Sequence, residues 1–241
     1  VYMTVKLSYL LVGALAAAGA MASAHADVVE VEGAHVKFVY NTDFWGTGSA
    51  VVSGDSITFA VDPAFTLSRT VATGGVTASH VETSAQALTV VAKSGYQVDF
   101  GVGTAYAGTF KVASGTGVNN IAVSGVGLLT AGSYEDGVFT TSGNKASYGG
   151  GISFYGGTSG TIGQDDTLPT NGAYEAVQAS LRLASSLSIG NGGTSSVALT
   201  SYGYDFSATP LVAVPEPATY GMLLGGLGML GMVARRRKNA P

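Results

Sequence analysis

Cysteine is absent from all 241 residues. That excludes disulfides, thiolate nucleophiles and cysteine-ligated zinc, so any domain here is held by its core and by backbone pairing. Charge is scarce too, at 11% of the chain, and it is unevenly spread. Between Asp27 and Val214 stand 14 of the 15 acidic residues but only 6 of the 11 basic ones, a net of −8. Nucleic acid and anionic membrane surfaces need Lys/Arg clusters, so no nucleic-acid partner is expected for this stretch. Histidine is nearly missing. His35 and His80 are the only two beyond position 25, and they form no H-x-x-x-H or comparable ligand spacing. The same stretch holds no G-x-S-x-G elbow and no dinucleotide or phosphate loop. No catalytic residue, metal or cofactor is therefore assigned, and a non-enzymatic protein is expected.

What is abundant points to β structure. Glycine, at 36 residues, has about twice its usual share, alongside many Ser, Thr and Val. Apolar residues alternate in several runs: Val36, Phe38 and Tyr40; Ile57, Phe59 and Val61; Leu88, Val90 and Ala92; Val98, Phe100 and Val102. Phe110 with Val112, Ile121 with Val123, Ile152 with Phe154 and Val197 with Leu199 continue the series. Turn clusters punctuate them at Ser53-Gly54-Asp55, Lys93-Ser94-Gly95, Thr73-Gly74-Gly75, Gly115-Thr116-Gly117, Glu135-Asp136-Gly137 and Asn191-Gly192-Gly193. Short strands at this density predict an all-β domain, a two-sheet β-sandwich over residues 27–213. In Ala173–Ser186, Val177, Ala179, Leu181 and Leu183 alternate, which favours a strand although the composition also suits a helix. Tyr155–Asn171, rich in glycine, reads as a mobile loop.

Two constellations carry potential chemistry. Tyr40-Asn41-Thr42-Asp43-Phe44-Trp45 contains the single tryptophan. Tyr40, Asp43 and Trp45 would suit a sugar, with an aromatic plate beside polar groups; the plainer reading makes Trp45 a core anchor at a strand end. Asp165-Asp166 offers oxygens to Ca²⁺, but without a D-x-D-x-D-G loop it reads first as a solvated acidic turn.

The two ends are more specific than the middle. Val1-Tyr2 precede a methionine, so translation is expected to start at Met3. Lys6, the apolar run Leu7–Ala22 and the small-residue site Ala24-His25-Ala26 before Asp27 have the order of a secretory signal peptide over 1–26. At the other end, over 214–241, Pro215-Glu216-Pro217 stands before an uncharged run, 218–234, closed by Arg235, Arg236, Arg237 and Lys238. The run is about 26 Å long as a helix, the low end for a transmembrane helix. The basic residues after it predict a cytoplasmic C-terminus and an exported body.

This tail resembles the PEP-CTERM sorting signal of Gram-negative bacteria, with Pro215, Glu216 and Pro217 as its motif. The resemblance implies an exosortase as partner, a membrane-anchored precursor, and a destination at the cell surface or in the exopolysaccharide matrix of a biofilm. It covers only the tail. For the body it leaves three classes: a non-catalytic surface or matrix protein, a glycan-binding β-sandwich module, and a secreted hydrolase with an unrecognised site.

Overall fold

The computed structural model describes residues 27–211 and 221–230. The expected signal peptide with Ala24 and Ala26, the motif Pro215–Pro217 and the expected basic stop Arg235–Lys238 lie outside the described residues.

The chain opens with β1 (Val28–Glu32), β2 (Val36–Asn41), a one-turn helix α1 (Thr42–Trp45), β3 (Ala50–Ser53), β4 (Ser56–Ala60) and β5 (Thr66–Val71). Then come β6 (Val76–Ala92), β7 (Tyr96–Asp99), β8 (Val102–Lys111), β9 (Asn120–Glu135) and β10 (Val138–Tyr155). The series ends with β11 (Ser159–Leu168), β12 (Ala173–Tyr174), β13 (Ala176–Ile189), β14 (Gly193–Asp205) and β15 (Ala208–Pro210). All pairings are antiparallel. The first sheet has the order β1-β2-β6-β13-β9-β10; the second runs β11-β8-β14-β4-β3, with β5 also paired to β14. A small third sheet, β12-β7-β15, sits beside them. The all-β sandwich expected from the alternation is the fold found, with this third sheet in addition.

The core is what the alternating residues make when two sheets close face to face. Phe38, Leu88, Val90, Val177, Leu181 and Leu183 point inward from the first sheet, and Ile57, Phe59, Val197, Tyr202 and Tyr204 from the second. Trp45 lies flat on Phe59 at 4.1 Å between ring centroids. Tyr202 leans so close to β9 that a Cβ on Gly125 would fall 2.3 Å from its ring, so only glycine fits there. The β9–β10 connection is a two-residue turn, with Asp136 at φ 49° and Gly137 at φ 81°, the geometry that matches strand twist in a tight hairpin.

Three details depart from the sequence reading. Residues within Tyr155–Asn171 form no free loop: β11 pairs with β8 along its whole length, from Ser159↔Lys111 to Leu168↔Val102. Backbone pairing and the burial of Ile162 outweigh the weak strand preference of Gly160 and Gly163. The run Val98, Phe100, Val102 is split between β7 and β8, because Gly101 passes so near Leu168 and Thr170 that a Cβ would meet them at 2.9 Å. The central strands are long, not short, since outward Ser, Thr and Gly carry them far past the apolar stretches. The ambiguous segment, by contrast, is strand throughout β13, with Val177, Ala179, Leu181 and Leu183 buried.

Beyond the sandwich, residues 221–230 are helical, with Met222, Leu223, Leu224 and Leu230 exposed. Among the described residues no helix is long and apolar enough to cross a membrane. The expected span, 218–234, extends past the described part on both sides.

Candidate functional site

The residues singled out in the sequence do not converge. Tyr40 and Trp45 are 2% and 5% exposed, and Trp45 donates its Nε1–H to the Ala87 carbonyl at 2.9 Å. A sugar cannot reach either ring. The glycan-contact reading of Tyr40, Asp43 and Trp45 is therefore corrected: the tryptophan anchors the core, and Asp43 sits exposed in α1, its amide capped by Asn41 at 2.8 Å. Asp165 and Asp166 lie side by side on β11, so their side chains take opposite faces and cannot close on one Ca²⁺. Asp166 points between the sheets, its Oδ2 buried without a hydrogen-bond partner. Burial and this neighbouring carboxylate push the Tyr106 phenol up to about 12. Among the described residues no group of three or more His, Cys, Asp or Glu is placed to hold a metal.

The histidines are paired but not assembled into a site. His35 gives its backbone N–H to Asp55 Oδ1 and meets Oδ2 through Nδ1, each at 2.7 Å. Burial would raise the Asp55 carboxyl, yet these bonds from His35 hold it below its ordinary value. The His35 ring lies against Tyr96, and His80 contacts Glu82 at 2.9 Å with its ring edge on Phe65. No serine or threonine hydroxyl is bonded to either ring among the described residues.

A large concave feature lies elsewhere, on the outer face of the first sheet. Register brings one residue from each strand into a row: Glu30, Val39, Thr89, Gln178, Thr130 and Lys145. The register of β6 against β13 shifts between Ala179 and Leu181, where β6 carries the extra residues of a bulge opposite Ser180, and β10 is irregular between Thr141 and Lys145. Past the bulge the next outward row is Thr83, Arg182 and Val126. Bulges bend and twist a sheet locally. Here the bend leaves a hollow of about 650 Å³ between the two rows, walled by Phe139 and Thr141 from the hairpin. Ser180, opposite the bulge, is tied to the strand on its other side, its Oγ accepting the Leu128 N–H of β9 at 3.0 Å. A second hollow of about 600 Å³ adjoins it, sharing Phe139 and Gln178 and reaching Tyr134 and Asp136 under the hairpin tip. Lys37 stands 5.8 Å over the Tyr134 ring, whose phenol is pushed up by burial and by Glu30.

Neither histidine lines these hollows. Sequence reading missed Lys145, Arg182, Gln178 and Phe139 altogether. The one available signal was phase: Gln178 and Arg182 fall on the polar side of the β13 alternation.

Comparison with known proteins bears on the tail. Residues 213–238 match the PEP-CTERM protein-sorting motif. The match confirms the resemblance drawn from Pro215, Glu216 and Pro217, and supports an exported protein processed by an exosortase. No curated protein matches the chain. Among solved structures, that of the infectious bursal disease virus Gx strain aligns at 12% identity and a TM-score of 0.17, over 74% of this chain and 51% of that one. The chain thus spans about half of that protein's length, and at this TM-score the likeness carries no argument.

Proposed function

We propose that this chain is a non-catalytic protein of the cell surface or of an extracellular polysaccharide matrix, made as a membrane-anchored precursor and released or relocated by an exosortase. The observation that carries the reading is the match at residues 213–238 to a protein-sorting motif, placed after a compact all-β body. The body's own ends favour it. Asp27, the residue after the expected cleavage site, already accepts hydrogen bonds at its carbonyl from the Thr42 N–H and Oγ1–H, at 2.8 and 2.7 Å. Cleavage there would remove nothing from β1. At the other end the Leu211 N–H donates to the Gly95 carbonyl at 2.8 Å. Four residues further stands Pro215, within about 14 Å of Leu211 whatever the path. The motif therefore follows within a short reach of the end of the sandwich at which Leu211 is bound.

The membrane stage is part of the proposal. The helical residues 221–230 expose Met222, Leu223, Leu224 and Leu230, side chains that lipid would cover. The non-catalytic reading is supported by the placing of His35 and His80, which among the described residues pair with Asp55 and Glu82 away from the hollows. The deciding experiment is Glu216→Ala, which leaves the apolar run and the basic stop untouched. The variant is expected to accumulate as full-length membrane precursor. Unchanged release to the surface would reduce the tail to an anchor.

A further inference from the structure

We propose that the hollow on the outer face of the first sheet binds an acidic polysaccharide, gripping sugar carboxylates with Lys145 and Arg182. The first ground is charge. The body carries 14 acidic and 6 basic residues, yet two of those six line this one hollow and no carboxylate does. Lys37 and Lys93 spend their charge on Glu30 and Glu32. Among the described residues neither Lys145 nor Arg182 has an acidic partner within 4 Å. On a surface so short of cations, two unpaired ones in a shared recess mark the place where an anion is attracted and not repelled.

The second ground is the chemistry between the cations. Thr83, Thr130 and Thr141 present hydroxyls and Gln178 an amide, groups that both donate and accept, as sugar hydroxyls do. Phe139 supplies an apolar plate of the kind a pyranose face covers. A volume of about 650 Å³ admits a sugar unit or two. Arg182 offers a planar fork that suits a carboxylate, and Lys145 a point charge across from it. An acidic peptide shares the charge but not the need for this density of hydroxyls.

That the ligand is an extracellular polymer rests on the reading above; the charge and lining do not. The test is independent of sorting, so failure here leaves the Glu216→Ala result standing, and the reverse also holds. The full chain in detergent micelles is titrated with short oligogalacturonate, its neutral methyl ester, the neutral oligosaccharide maltohexaose, and oligoglutamate. Oligogalacturonate is expected to bind, and its methyl ester, maltohexaose, and oligogalacturonate on the K145Q/R182Q variant are each expected to bind about tenfold or more weakly. Lys145 and Arg182 are exposed, so the double variant should melt like the parent. As a check in the unaltered chain, bound oligogalacturonate should protect Lys145 from acetylation. Absence of oligogalacturonate binding, undiminished binding to K145Q/R182Q, or equal or tighter binding of oligoglutamate would each overturn the proposal.

Discussion

Trp45 shows how one residue supports two readings until its surroundings are known. In sequence it is an aromatic beside Tyr40 and Asp43, apt for a sugar. In the fold α1 turns it inward onto Phe59, with Tyr202 and Tyr204 near its rim at 6.0 and 6.4 Å. The indole N–H, which burial would otherwise leave unsatisfied, is taken by the Ala87 carbonyl. Trp45→Ala should therefore behave as a core deletion. The loss of stability is expected at about 3–5 kcal/mol, from removed contacts and the cavity left behind. Urea unfolding of the variant checks this; a midpoint unmoved from the parent's would mean that the ring is no part of the core. Asp55 is a second case. Its value in sequence was a turn residue after Ser53-Gly54, and in the fold its carboxylate ties the β3–β4 turn to His35, a contact no local pattern announces.

Strands were legible wherever one face carries large apolar side chains. β2, β4 and β13 announce themselves through Phe38, Phe59 and Leu181, because the buried face of a pleated strand must be apolar every second residue. β10 and β11 gave weak signals for the same reason. Their large inward side chains are few for the strands' length, Tyr148, Ile152 and Phe154 on β10 and Ile162 and Leu168 on β11, and Gly, Ser and Thr fill much of the remainder. The hollow was not legible at all. It depends on register between strands as distant in sequence as β2, β6, β9 and β13, and on two irregularities that only pairing reveals. β11 gives the sharpest test of an element that sequence reading took for a loop. Ile162, 2% exposed, is its main apolar anchor to the core. Ile162→Ala should cost about 2 kcal/mol or more in urea unfolding, as for other buried aliphatics. An unaltered midpoint would show that the segment is free, as the glycines first suggested.

At the scale of the whole molecule, the two sheets are joined by phenols as well as by hydrocarbons, and this sets how the body responds to alkali. Tyr202 and Tyr204 project from the second sheet and Tyr148 from the first, with the Tyr148 and Tyr204 hydroxyls 3.1 Å apart. Burial pushes all three phenols well above their ordinary value of 10.0. For Tyr204 the neighbouring Tyr148 and Tyr202 push further in the same direction. The sign follows from proton linkage. Below about pH 10 both states keep these protons, and stability does not depend on them. Above it the unfolded chain releases phenolic protons that the folded body retains, so unfolding gains ground as pH rises. Each such tyrosine removes about 1.4 kcal/mol per pH unit, and with Tyr106, raised to about 12, four together remove about 5 over the first units above pH 10. With no disulfide to hold the sheets, the body should pass from fully folded to unfolded within a narrow interval above pH 10. Circular dichroism and tyrosinate absorbance, followed together through a pH titration, check this. The final phase of tyrosinate signal is expected to appear with the loss of the β-sheet signal, and Tyr204→Phe should make the dependence shallower by about a quarter. Complete ionisation of the tyrosines with the sheet signal intact would mean that alkali reaches Tyr148, Tyr202 and Tyr204 without parting the sheets, and that the phenolic seam does not control when they separate.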